Sequence, residues 1–271
     1  MKLLNCKLLS LLLLVCITIA LSGCATSPYT NRSQFIIVDE ETEMSLSADA
    51  YQQFITEEKI ETGTQRVKMI NNIGNRIAVV AERPNYEWEF LVVADDNVIN
   101  AMCLPGGKVF VYTGIIKLTK SNEGELAAIM GHEIAHALAR HGAESASVGQ
   151  SAAIGSQVIG LIAEGVIGGG AGEAVGSLSG SLASLGLTLP HSRMQESEAD
   201  HIGLILMAKA GYNPSAAISL WQKMAALNEG NEPMSFLSTH PLSADRIKAI
   251  EALLPEVMPY YEEYLQKNKK K

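Results

Sequence analysis

Apolar and polar positions alternate in two rhythms along this chain. Val67, Ile70, Ile73, Ile77 and Val80 recur every three or four residues, and such spacing predicts helices over about 40–60 and 65–82, the second stopped by Pro84. The rhythm then shortens. Trp88–Val93, Val98–Leu104 and Val109–Tyr112 read as strands, with Pro105-Gly106-Gly107 as a turn. Helical spacing returns afterwards. Asn122 suits the cap of a helix over 122–141, with Glu125 placed to complete a capping box and Gly142 placed as its left-handed stop. Another helix opens near Gln195 and ends at Gly211, and Asn213-Pro214 starts one more. The expected class is α+β: mostly helical, with a small, largely antiparallel sheet ahead of the 122–141 helix.

Two stretches stand apart from this pattern. Lys2 and Lys7 precede an apolar run from Leu8 to Leu21, too short to span a bilayer comfortably, which closes on Leu21-Ser22-Gly23-Cys24. That ending looks like a bacterial lipobox, in which residues 1–23 are removed as a signal peptide and Cys24 is acylated. Residues 24–38 then read as a lipidated tether, since 25–34 are polar turn formers, and 39–271 as the folded domain. Ala25 after the lipidated cysteine favours the periplasmic face of the outer membrane over inner-membrane retention. Residues 142–189 are rich in Gly, Ala and Ser. They read as a mobile flap hinged at Gly168-Gly169-Gly170, with small-residue helix packing or a membrane span as alternatives.

Composition removes several classes of function. A chain of 271 residues, 47% hydrophobic and 18% charged, can bury a sizeable core and is no disordered tail. A net charge of -8, more acidic still once Lys2 and Lys7 leave with the signal, argues against nucleic acid as a partner. Of four cysteines, Cys6 and Cys16 depart and Cys24 takes lipid, so Cys103 has no intramolecular partner.

Candidate chemistry sits in two helices. His132-Glu133-Ile134-Ala135-His136 places two imidazoles one helical turn apart, within roughly 40° of each other. They can share one Zn²⁺, with Glu133 beside them to accept a proton from water. In Gln195-Glu196-Ser197-Glu198-Ala199-Asp200, Glu196 and Asp200 share a face. Glu196 can complete the metal site while Asp200 holds a ligand imidazole. Glu198 points elsewhere and reads as solvated, with the ligand role as its alternative. His141, about 140° round a continuing helix from His136, should not reach the same metal. His191 and His201 read as structural.

These motifs, followed by Thr239-His240-Pro241 and Arg246, resemble the zinc metallopeptidases of family M48, in the gluzincin group. The stretch Asn100-Ala-Met-Cys-Leu-Pro-Gly-Gly-Lys-Val-Phe-Val-Tyr-Thr-Gly114 is also similar to the one these enzymes carry before the zinc helix, and the likeness runs from about 35 to 255. The closest type is the compact periplasmic lipoprotein. The resemblance implies His132, His136 and Glu196 as zinc ligands, Glu133 as the general base and Asp200 as the acid behind the ligands. It implies a metal-site role for His240, either stabilising the oxyanion or closing off the zinc in a latent form, with Arg246 assisting.

The implied function is zinc-dependent cleavage of unfolded or misassembled cell-envelope proteins, one zinc per chain. Its partners would be those substrates, the membrane through the N-terminal lipid, and outer-membrane assembly machinery. The strand around Val98–Leu104 would pair with an extended substrate. The rival is a chaperone-like lipoprotein with a latent or closed zinc site.

Overall fold

The computed structural model describes residues 24–28, 30–152, 190–229, 235–241 and 245–269. Residues 1–23, read above as a signal peptide, the glycine run and most of the 142–189 segment lie outside the described residues. Two short strands come first, β1 (Cys24–Thr26) and β2 (Ser33–Phe35), paired antiparallel. Helix α1 (Glu40–Glu57) is capped by Asp39, and α2 (Gln65–Val80) by Thr64. Between them runs β3 (Ile60–Glu61), and after them β4 (Glu89–Val93), β5 (Ala101–Leu104) and β6 (Lys108–Tyr112).

These four strands form one sheet in the order β3-β4-β6-β5. The outer pairings are antiparallel as expected, but the central pair β4/β6 is parallel. Strand alternation divides the sheet's side chains. Phe90, Val92, Cys103, Val109 and Val111 join Ile70, Ile73 and Ile77 of α2 in the main core. Leu104, Phe110 and Tyr112 face the other way and pack under Ala50 and Phe54 of α1. With a helix on each face, the strands are apolar on both sides.

The short α3 (Thr113–Leu118) leads into α4 (Glu123–Leu138), whose residues from Glu125 onward are all buried. Asn122 caps α4 by accepting from the Glu125 amide at 3.1 Å. The reciprocal half of the capping box is replaced, because the Glu125 carboxylate accepts instead from Lys223 (2.6 Å) and Ser219 (2.8 Å). Helix α5 (Arg193–Lys209) has a complete capping box from Ser192 and Gln195. Helices α6 (Ala216–Glu229), α7 (Ser235–Thr239) and α8 (Arg246–Lys269) follow. Helices α4 and α5 cross at Gly131 and Gly203, where the absent side chains let the two backbones touch. That contact sets the His132 turn of one helix beside the Glu196–Asp200 turns of the other. Among the described residues no helix is long and apolar enough to cross a membrane.

Two expectations change here. Helix α4 ends at Leu138, not 141, and the left-handed residue is Arg140 (φ 54°) rather than Gly142. A second helical stretch, 141–152, follows the break. The 24–38 stretch is also not a free tether. Arg32 pairs with Glu144 and Glu198, Gln34 donates to the Ala139 carbonyl (2.6 Å), and the Ile37 amide donates to Ser147 (3.0 Å). Partners buried in the domain outweigh the turn-forming character of the sequence.

Candidate metal centre

His132 and His136 project from the middle of α4 with their Nε2 atoms 3.1 Å apart. Glu196, on the first turn of α5, brings Oε1 to 3.3 Å from His136 Nε2 and Oε2 to 3.6 Å from His132 Nε2. His240, just past α7, adds Nδ1 at 3.3 Å from His132 Nε2 and 2.9 Å from Glu196 Oε1. One donor atom from each of the four lies within 4.8 Å of the others, and all four residues are buried. Donors bound tetrahedrally to one zinc at ~2.0–2.2 Å lie roughly 3.3–3.6 Å apart, so the set fits that ion.

The outer edges of the imidazoles fix which nitrogen faces inward. His132 Nδ1 meets Asp200 Oδ1 at 3.0 Å, and Arg246 grips the same carboxylate with Nε and Nη2, both at 2.8 Å. Arg246 also donates from Nη1 to Glu196 Oε2 at 2.6 Å, and its guanidinium stacks on Trp221, 3.4 Å from the ring centre. His136 Nδ1 meets His141 Nδ1 at 2.9 Å, and His141 Nε2 meets Glu198 Oε2 at 3.0 Å. Both Nδ1 edges thus have partners behind them, leaving both Nε2 lone pairs for the centre.

Charge in so enclosed a cluster is set by its neighbours. Burial opposes a charge on Glu196, but bonds from His132, His136 and His240 outweigh it and hold the carboxyl far below its usual range. Burial likewise opposes a charge on His132, while Asp200 and Glu196 lift its pKa to about 9. Burial keeps His136 well below its ordinary value and pushes Glu133 up, the latter against the pull of His240 and His132. Glu133 Oε1 has no hydrogen-bond partner and lies 3.5 Å from His240 Nε2. It faces a cleft that Asn100–Cys103, His136, His191 and His240 also line.

All the residues singled out by sequence in α4, α5 and beyond (His132, Glu133, His136, Glu196, Asp200, His240, Arg246) meet in this cluster. One reading is corrected. Glu198 is buried rather than solvated, bonded to His141, Thr30 and Arg32. His141 lies outside the donor cluster but meets the outer edge of His136, because the left-handed Arg140 breaks the helix between them. His191 packs tilted against His136, ring centres 4.0 Å apart, and burial drives its pKa down to about 3. Cys103 is buried beside the cleft and free, and burial raises its thiol well above the ordinary value.

The profile of peptidase family M48 matches residues 64–254, from α2 into α8. The chain belongs to peptidase family M48. The mitochondrial metalloendopeptidase OMA1 of Schizosaccharomyces pombe is 37% identical over 233 residues, 84% of this chain and 66% of that protein. Its Saccharomyces cerevisiae counterpart is 34% identical over 88% of this chain and 71% of the relative. A putative beta-barrel assembly-enhancing protease of Vibrio cholerae is 33% identical over 66% of this chain and 37% of the relative. Peptidases of this family use zinc, so the domain is that of a zinc metallopeptidase with a donor cluster to match.

Proposed function

We propose that this chain is a lipid-anchored zinc endopeptidase that hydrolyses peptide bonds of unfolded or misassembled cell-envelope proteins, held by Cys24 at the periplasmic face of the outer membrane. The observation that carries the reading is Glu133: a buried carboxylate with an unpartnered oxygen, placed between a zinc-type donor cluster and an open cleft. A purely structural metal site has no use for it. His132, His136 and Glu196 are assigned as ligands, with Asp200 and Arg246 holding His132 and Glu196 in place.

Bound zinc would lower the pKa of water toward neutrality and polarise the scissile carbonyl. Glu133 takes the proton of the attacking water and delivers it to the leaving amine, work suited to a carboxyl raised by burial. Strand β5 is an edge strand of its sheet and lines the cleft. An extended substrate that pairs with this edge is recognised by its backbone, which a folded protein does not offer. Relatives named beta-barrel assembly-enhancing protease support an envelope protein as substrate, with assembly machinery as a partner. His240 has a second reading. Its Nδ1 stands among the ligands, and four protein donors make a closed site, so this conformation matches a latent enzyme in which His240 must withdraw.

The test offers the full chain in detergent an outer-membrane barrel protein, unfolded or folded, with and without a zinc chelator. Cleavage of the unfolded form alone, abolished by the chelator, is the expected result. Equal cleavage of both forms, or cleavage that survives chelation, would overturn the reading.

A further inference from the structure

Two of the proposed ligands are backed in parallel ways, and only one of those ways belongs to the motifs. Behind His132 stand the Asp200 carboxylate and the Arg246 guanidinium. Behind His136 stand His141, the Glu198 carboxylate and then the guanidinium of Arg32. Arg32 comes from the β1–β2 hairpin, ahead of the 64–254 segment matched by the family profile.

Tautomers give this second chain a direction. A His136 that binds metal through Nε2 carries its proton on Nδ1 and donates it to His141 Nδ1, 2.9 Å away. His141 must then carry its own proton on Nε2, which donates to Glu198 Oε2 at 3.0 Å. Glu198 is fixed in turn by Arg32 Nε at 2.5 Å and by the Thr30 hydroxyl. Arg32 is itself locked, since Nη1 and Nη2 each donate to a different oxygen of Glu144 at 2.7 Å. His141 is fully buried and Glu198 nearly so, while Arg32, at the outer end of the series, keeps 15% of its side chain exposed.

We propose that Arg32 is a positioning residue for the zinc site, acting through Glu198 and His141 on the ring of His136, so that docking of the hairpin beginning at Cys24 and metal binding are coupled. The inference rests on the assignment of His136 as a ligand. Its consequence is directional: an N-terminus pulled off the domain loosens one ligand, and zinc in the site holds the N-terminus down, because such coupling is reciprocal.

The test measures zinc affinity of the full chain in detergent, by competition with a chelating dye, and the visible absorption of the Co²⁺-loaded protein. Arg32→Ala and Glu198→Gln should each weaken zinc binding several-fold, less than the ~10–100-fold usual for removing a direct partner of a ligand. Both should shift the Co²⁺ bands, and Arg32→Lys should recover part of the loss. Arg32→Ala binding zinc within twofold of the parent would overturn the proposal. So would a fall in melting temperature with unchanged Co²⁺ bands, which marks a merely structural role. Should Arg32→Ala fail to fold, Glu198→Gln decides by the same criteria. His136→Ala separates the two levels. If it keeps stoichiometric zinc, the ligand assignment falls and this proposal with it; if it loses zinc while the relay variants bind normally, the relay alone falls.

Discussion

Gly131 and Gly203 pack backbone to backbone where α4 crosses α5. A Cβ on Gly203 would lie 2.9 Å from both the Gly131 carbonyl carbon and the His132 amide nitrogen. No flexible side chain is there to give way, so the helices must part. Gly203→Ala should therefore lower stability by about 1–3 kcal/mol, several degrees in the melting temperature, and weaken zinc binding through the displaced His132 turn. Calorimetry with and without zinc checks both effects.

The ligand and its support should separate in degree. Glu196→Ala removes a donor and should leave the chain without stoichiometric zinc. Asp200→Asn leaves every donor but weakens the hold on His132 Nδ1 and uncouples Arg246, and should cost about 10–100-fold in zinc affinity. Metal content after dialysis against a graded series of zinc buffers distinguishes the two.

Removing His240 should open the site. With its Nδ1 gone from among the donors, one position becomes available to water, and basal cleavage of an unfolded peptide by His240→Ala should rise several-fold. Loss of cleavage with zinc retained would instead assign His240 to oxyanion stabilisation.

The hairpin contact should fail on the acid side. Burial opposes a charge on Glu144, but Arg32, Gln195 and Gln34 outweigh it and hold the carboxyl below its ordinary value. A carboxyl depressed in the folded state contributes stability that is complete above its unfolded pKa, roughly 4.3, and is lost as pH falls through the folded value. Melting temperature against pH should thus drop steeply below about pH 4.5 in the parent, and less steeply in Glu144→Gln. Identical slopes would remove Glu144 from the acid response.

What could be read from sequence were relationships local to one helix. The stripe of Ile70, Ile73 and Ile77, the histidine pair one turn apart, and the shared face of Glu196 and Asp200 all follow from helical arithmetic, and each is buried as that arithmetic requires. His141 escaped because its position depends on a left-handed arginine, where a glycine is the residue that usually signals such a turn. Glu198 escaped because its partners come from 57 and 166 positions away, across folds no periodicity reports. Arg32 stood in a run of turn formers whose composition says nothing about the two carboxylates waiting for it.

The most direct measurement is cleavage of unfolded casein by the zinc-loaded chain beside its Glu133→Gln variant, with zinc content determined for both. The account predicts equal zinc, near one per chain, and a rate at least about 100-fold lower in the variant. Equal rates in the two proteins would contradict it, because the carboxylate assigned to the proton transfer would then take no part in the reaction.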